Sequence, residues 1–241
     1  MSVLLSIEKV SKSFGGIWAL RDVTFDVHEG DIVGLVGPNG AGKTTLLKIC
    51  MNLLRPSHGF IKYKGLKITG LSPHKTCKLG ISMTNQIPRP FKRMNCFENV
   101  LVGCLFGAGL KRNEAEREAE TILEKVFLSQ KKYTIAGELT VFEQKLLDLA
   151  IALSTAPKFL MLDEPLAGST EKEVAQLVSI IKKLRDEGTT ILWVEHVLSE
   201  VIENCDQMIV LNEGKKILEG KPQEIVNDTR FIEAYVGEEN A

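Results

Sequence analysis

Apolar and polar residues alternate through the first part of the chain. In Leu5-Ser6-Ile7-Glu8-Lys9-Val10 and again in Val23-Thr24-Phe25-Asp26-Val27 the pattern predicts half-buried antiparallel strands, joined by a turn at Phe14-Gly15-Gly16. The next run, Ile32-Val33-Gly34-Leu35-Val36, is apolar throughout and predicts a strand covered on both faces. A helix is expected from Thr44 to about Leu54, ended by Pro56. Residues 59–63 and 66–68 read as another short hairpin, and 80–84 as a core strand. From Pro88 to about Ala156 the strand pattern stops. There the highly charged segment 111–125 has apolar positions at Ala115, Ala119, Ile122, Leu123 and, just beyond, Val126, the spacing of one helix face. Apolar strands return at 158–163 and 189–194, with a helix at 172–185 between them. Strands alternating with helices imply an α/β fold with a mostly parallel sheet, a small antiparallel β subdomain and an inserted helical subdomain. The expected division of this one domain is a first core part at 1–87, the helical subdomain at 88–156, and a second core part with a C-terminal tail at 157–241. No internal repeat or low-complexity tract interrupts it.

Between the all-apolar strand and its helix lies Gly37-Pro38-Asn39-Gly40-Ala41-Gly42-Lys43-Thr44-Thr45. Glycines at 37, 40 and 42 permit backbone conformations closed to other residues, so that several N–H groups converge at the positive end of a helix. The spacing G-x4-G-K-[ST] is that of a phosphate-binding loop, in the strand-to-helix context the motif requires. Lys43 would reach the β and γ phosphates of a nucleoside triphosphate, and the Thr44 hydroxyl would ligate Mg²⁺.

Three further residue groups sit at predicted strand ends. Phe159 to Leu162 lead into Asp163-Glu164, which delivers two carboxylates to the sheet edge that also carries the phosphate loop. Asp163 suits Mg²⁺ coordination through water, and Glu164 suits polarising an attacking water. His196 follows the strand at 191–194, where an imidazole can contact the γ phosphate, and Gln86 follows the strand at 81–84, where an amide can touch both the metal and the water. Taken singly, each has an ordinary structural reading as a solvated acid, a turn histidine or a loop glutamine. The phosphate loop gives them a common purpose.

Composition narrows little. A hydrophobic fraction of 44% is that of an ordinary globular chain, and a net charge of −1 offers nothing to a nucleic acid. No apolar run approaches the roughly 20 residues that cross a bilayer, and Met1-Ser2-Val3-Leu4-Leu5-Ser6 lacks the basic start of a secretory signal. Cys50, Cys77, Cys96, Cys104 and Cys205 are odd in number and unpaired in spacing, which suits reduced thiols in the cytosol.

Phosphate loop, Gln86, Asp163-Glu164 and His196, in that order and at about that spacing, resemble the nucleotide-binding subunit of an ABC transporter along essentially the whole chain. Asn85-Gln86-Ile87-Pro88-Arg89-Pro90-Phe91 with Met94-Asn95-Cys96-Phe97-Glu98-Asn99-Val100, and the tail stretch 220–228 with Ile232-Glu233-Ala234-Tyr235-Val236-Gly237, are most similar to the ATPase subunits of branched-chain amino acid importers. The resemblance implies ATP and Mg²⁺ as ligands. It implies stacking of Phe14 on adenine, although a Phe in an alternating strand is more often core. It also implies a place at the cytoplasmic face of the membrane, with membrane-spanning subunits gripped by the helical insert, a second ATPase subunit and, indirectly, an extracytoplasmic solute-binding protein.

Two stretches depart from the family pattern. The signature, normally Leu-Ser-Gly-Gly-Gln at a helix start, is here Leu139-Thr140-Val141-Phe142-Glu143, and Ala167-Gly168-Ser169-Thr170-Glu171 stands where the family has a Leu and an Asp or Asn. By resemblance both serve the nucleotide bound to the opposite subunit. Val141 and Phe142 add bulk there and Glu143 adds a negative charge. Like charges about 5 Å apart at an effective dielectric constant near 20 repel by roughly 3 kcal/mol. The expectation is a heterodimer in which this chain's own half-site meets a partner's normal signature, with a tolerant homodimer as the alternative. Rival functions are a regulatory module that binds ATP and hydrolyses it weakly, a soluble non-transport ATPase of the family, and a P-loop kinase.

Overall fold

The computed structural model describes residues 2–236, so Met1 and the Gly237 of the family-like tail lie outside the described residues. β1 (Val3–Phe14) and β2 (Ile17–His28) form the expected antiparallel hairpin, with Phe14 opposite Ile17 across the Gly15-Gly16 turn. β4 (His58–Tyr63) pairs with the free edge of β1, and β5 (Leu66–Lys67) with β4, to make a four-stranded antiparallel sheet.

The second sheet has six strands in the order β10-β9-β3-β8-β7-β6. They are β3 (Ile32–Val36), β6 (Ile81–Met83), β7 (Phe159–Asp163), β8 (Thr190–Val194), β9 (Gln207–Asn212) and β10 (Lys215–Gly220). All pairs are parallel except β9 with β10. Strand residues alternate between two cores. Val33, Leu35, Phe159, Met161, Leu192 and Val194 face α1 (Lys43–Cys50) and the antiparallel sheet, whereas Ile32, Leu160, Leu162, Ile191 and Trp193 face α5 (Val141–Leu153) and α6 (Glu171–Asp186). Burial on both faces explains why β3 and the runs 159–162 of β7 and 191–194 of β8 are apolar.

The strand register brings four C-terminal ends to one place. Leu35 and Asp163 both lie opposite Val194, and Met83 lies opposite Met161, so β3, β6, β7 and β8 end together on one edge. Parallel strands can do this only because helical crossovers carry the chain back each time.

Residues 96–153 are helical in the main. α3 (Cys96–Val102) opens with a reciprocal Asn95–Glu98 cap and continues as a π-helical segment at Gly103–Ala108. Gly103 is needed there, since a Cβ would meet Ser154 Oγ at 1.6 Å. α4 (Arg112–Lys125) buries Ala115, Ala119, Ile122 and Leu123, the face predicted from spacing.

One expectation changes, and one alternative is set aside. α1 stops at Cys50 rather than Leu54: Asn52 takes a left-handed φ of 57° and the N–H groups of Leu53 and Leu54 both turn back to Lys48 O. Phe14 is not core, for its side chain is 49% exposed, with the Lys12 ammonium 4.9 Å from the ring centre. The periodicity of the strand could not reveal that it extends beyond the core at its hairpin tip.

Remaining helices are α2 (Pro73–Lys78), α7 (Leu198–Asn204), α8 (Pro222–Ile225) and α9 (Thr229–Val236). Among the described residues no helix is long and apolar enough to cross a membrane.

Candidate functional site

The loop between β3 and α1 is shaped by its glycines. Gly37 has a φ of 147° and a Cβ there would sit 2.0 Å from Leu211 O, while at Gly42, φ 102°, it would sit 2.5 Å from Ala19 O. Only glycine lets the loop pass this close to β9 and β2. Gly42 also caps α1 with no side-chain acceptor, and α1 has no acid in its first turn. With no capping side chain and no acid there, the positive dipole end of α1 is suited to an external anion. Lys43 is buried, and its ammonium donates to the carbonyls of Gly37 at 2.6 Å and Pro38 at 2.9 Å. Asn39, Gly40, Ala41, Thr44 and Thr45 line the same depression, into which Gln86 and Glu164 also face.

Thr44 Oγ1 donates to Asp163 Oδ1 at 3.3 Å. Burial pushes the Asp163 carboxyl above its ordinary range, the Thr44 hydrogen bond draws it down, and the neighbouring Glu164 pushes it up again. Mg²⁺ prefers oxygen donors and keeps waters or substrate phosphates as further ligands, so this hydroxyl and carboxylate fit it.

Glu164 gathers the remaining residues. Gln86 Nε2 donates to Glu164 Oε2 at 2.7 Å, and His196 Nε2 lies 2.8 Å from Glu164 Oε1. A carboxylate oxygen accepts only, so Nε2 of His196 carries the hydrogen in this pairing. Glu164 itself takes φ 52°, an uncommon left-handed conformation for a glutamate, fixed by its N–H to Val194 O at 3.0 Å. The residues predicted separately at strand ends thus meet, while Phe14 remains apart from the depression's lining.

The altered stretch at 139–143 behaves differently from the expectation of a charge aimed outward. Thr140 caps α5: its Oγ1 accepts from Glu143 N at 3.2 Å, and the Glu143 carboxylate accepts from Thr140 N at 2.9 Å. Lys131 Nζ is 3.3 Å from the same carboxylate. The Thr140 N–H and then Lys131 hold Glu143 below its ordinary range. Phe142 packs against the core of the helical region, whereas Val141 is 73% exposed. The charge is ionised but turned back on its own subunit. α1 and α5 therefore contrast: one helix start is open to an anion, the other already carries its own.

Three site residues escaped sequence reasoning. Buried Glu195 accepts from Leu166 N at 2.8 Å and His196 N at 3.1 Å, and burial raises its carboxyl. Lys145 Nζ donates to the carbonyls of Pro165, at 3.1 Å, and Ala167 and lies 3.2 Å from Ser169 Oγ. Asp148, 5% exposed, accepts from Asn85 N at 2.7 Å, Asn85 Nδ2 at 3.2 Å and Arg89 N at 3.3 Å. For Lys145 and Asp148 the available signal was two charged residues three apart in the otherwise apolar stretch 145–153.

A strand, a glycine loop with Lys43 and Thr44, and an acidic strand end on one sheet edge define a phosphate-loop nucleoside triphosphatase. The family model described as ABC transporter matches residues 20–167, more than half of the chain, which belongs to that family. The chain is 37% identical over 250 residues to the high-affinity branched-chain amino acid transport ATP-binding protein BraF of Pseudomonas aeruginosa, covering 98% of each. It is 34% identical over 239 residues to the lipopolysaccharide export system ATP-binding protein LptB of Acidithiobacillus ferridurans, covering 99% of each. The crystal structure of the ADP conformation of MJ1267, an ATP-binding cassette of an ABC transporter, superposes with a TM-score of 0.87 at 31% identity, covering 98% of this chain and 100% of that one. The chain is thus an ATP-hydrolysing cassette of a transporter, and its nucleotide is ATP or ADP.

Proposed function

We propose that this chain binds Mg·ATP in its 37–45 loop and hydrolyses it to power import of branched-chain or related amino acids, lying peripherally at the cytoplasmic face of the membrane. The contact of Glu164 with both Gln86 and His196, beside the loop, carries the reading. Lys43 leaves its loop carbonyls for the β and γ phosphates. Thr44 and Asp163, with Gln86 nearby, would hold Mg²⁺, and its charge would neutralise that of the phosphates. Glu164 polarises the attacking water and takes its proton. His196 orients Glu164 and hydrogen-bonds the transferring phosphoryl group, and exposed Phe14 offers a stacking face for adenine. Membrane-spanning subunits, a second ATPase subunit and an extracytoplasmic solute-binding protein are the partners of this reading. Likeness to BraF supports amino-acid import, whereas LptB, named for export, makes the direction worth testing.

A heterodimer is favoured over a homodimer by one observation, the self-capped start of α5. The test is steady-state ATP hydrolysis by this chain alone and mixed with a related subunit whose signature is intact. Activity that appears only on mixing and disappears with Glu164→Gln supports the proposal. Turnover by the chain alone at an ordinary rate of about 1 s⁻¹ or more would refute the heterodimer. Leucine uptake into vesicles carrying the assembled transporter tests the substrate and the direction.

A further inference from the structure

α5 bears two polar anchors a single turn apart, facing different loops. Asp148 collects three N–H donors from residues 85–89, the segment that contains Gln86, all within 3.3 Å. Lys145 grips the turn at 165–169 through two carbonyls and the Ser169 hydroxyl. From the other side Glu195 holds the same turn by Leu166 N. Lys145, Asp148, Gln86, Glu164 and Pro165 all line one cavity of about 20 Å³, room for roughly one water. Burial draws the Lys145 ammonium down and pushes the Asp148 carboxyl up, so both charges are held at a desolvation penalty that a merely structural helix would avoid with apolar residues.

We infer that Lys145 and Asp148 are positioning residues that make α5 a link between the Gln86 loop and the 165–169 turn. Rigid helices carry a displacement over one turn with little loss, and each anchor grips backbone at two points, Asp148 at the N–H groups of Asn85 and Arg89 and Lys145 at the carbonyls of Pro165 and Ala167. A movement of residues 85–89 toward bound phosphate would pull Asp148, tilt α5, and shift the turn through Lys145. That turn and the start of α5 would then respond together. The inference rests on the proposed nucleotide site.

Amide hydrogen exchange of the full chain, with and without Mg²⁺ and the non-hydrolysable analogue adenylyl imidodiphosphate, tests it. In the parent chain exchange should slow at 37–45 and, by about tenfold, at 166–169. Asp148→Asn and Lys145→Met should keep the slowing at 37–45, with analogue affinity within about twofold, and lose it at 166–169. Lys145→Arg should restore it, and the double variant should lose no more than either single one. A merely structural role would instead speed basal exchange at the turn and leave the fold-response to nucleotide intact. Persistence of that response in both single variants would overturn the inference, because the direct Gln86–Glu164 contact would then suffice. Lack of slowing at 37–45 in the parent chain would overturn the nucleotide site, and the inference with it. Slowing at 37–45 without slowing at 166–169 would overturn the inference alone.

Discussion

Glu143→Gln removes one charge from the start of α5 and little else, since the glutamine oxygen can still accept from Thr140 N. The lost attractions are those to Lys131, 3.3 Å away, and to the helix dipole. Both partners are partly solvated, so the loss in folding stability is about 0.5–1 kcal/mol, a fall in Tm of roughly 1–4 °C at this size. Linkage gives the sign with pH. Glu143 is held below the ordinary carboxylate range in the folded state, so its contribution is present above that range and fades as pH falls through the lowered value. At low pH parent and variant should therefore converge.

The same change should strengthen ATP-driven self-association. With a phosphate of a second copy about 5 Å from the Glu143 charge and Lys131 about 3 Å farther, an effective dielectric constant near 20 leaves a net repulsion of about 1 kcal/mol at each site. A symmetric pair has two such sites. Because Lys131 stays in place, neutralising Glu143 removes the whole repulsion of about 3 kcal/mol at each site, about 6 kcal/mol for the pair before screening, on the order of a 10⁴-fold tighter dimer at low salt. Sedimentation equilibrium of the full chain with Mg·ATP reads this directly, using Glu164→Gln to keep the nucleotide intact. The gain should shrink as salt shortens the screening length from about 10 Å at 0.1 M. A variant that melts lower as expected yet dimerises no better, or worse, would sink the argument: Glu143 would then be a contact across the interface rather than an obstacle.

Further predictions come from the loop and the buried acid. Gly37→Ala should cost more stability than Gly40→Ala in urea denaturation. A Cβ at 37 collides with Leu211 O, whereas at 40 it meets nothing within 4 Å and pays only the left-handed backbone penalty of about 1–2 kcal/mol. Asp163→Asn should abolish the rise in Tm on adding Mg·ATP yet raise the stability of the chain without nucleotide. Burial lifts the folded Asp163 carboxyl above its unfolded value, so the parent loses stability as pH rises from about 4 through that folded value. The stabilisation by Asn should accordingly be small at pH 4 and complete at neutral pH, as followed by denaturation at both.

Legibility in the sequence depends on the range of the interactions. The phosphate loop reads from its residues because the requirements are local: a strand, glycines at positive φ, a helix start with no cap of its own. α4 reads equally well, since a helix face is a pattern within fourteen residues. Asp163, Glu164, His196 and Gln86 could be assigned to strand ends, but their meeting depends on the register of four parallel strands, which is fixed by crossovers far apart in sequence. The α5 start exposes the limit most sharply. Thr140 and Glu143 have the spacing of a capping box, a local signal that was there to be read. That the charge is also paired with Lys131, and that Phe142 turns inward, are consequences of packing between segments. Lys145 and Asp148 are harder still, with partners 20 or more positions away along the chain. These non-local contacts are where the altered stretches acquire a meaning. The family's signature glycines would leave a helix start open to a nucleotide held by another chain, whereas this sequence closes the start with its own carboxylate and ties the helix behind it to both loops of its own site. On the function proposed above, the chain keeps its means of acting on the nucleotide it binds and alters its means of acting on a neighbour's, which is the division of labour that the inferred role of α5 within the subunit would require.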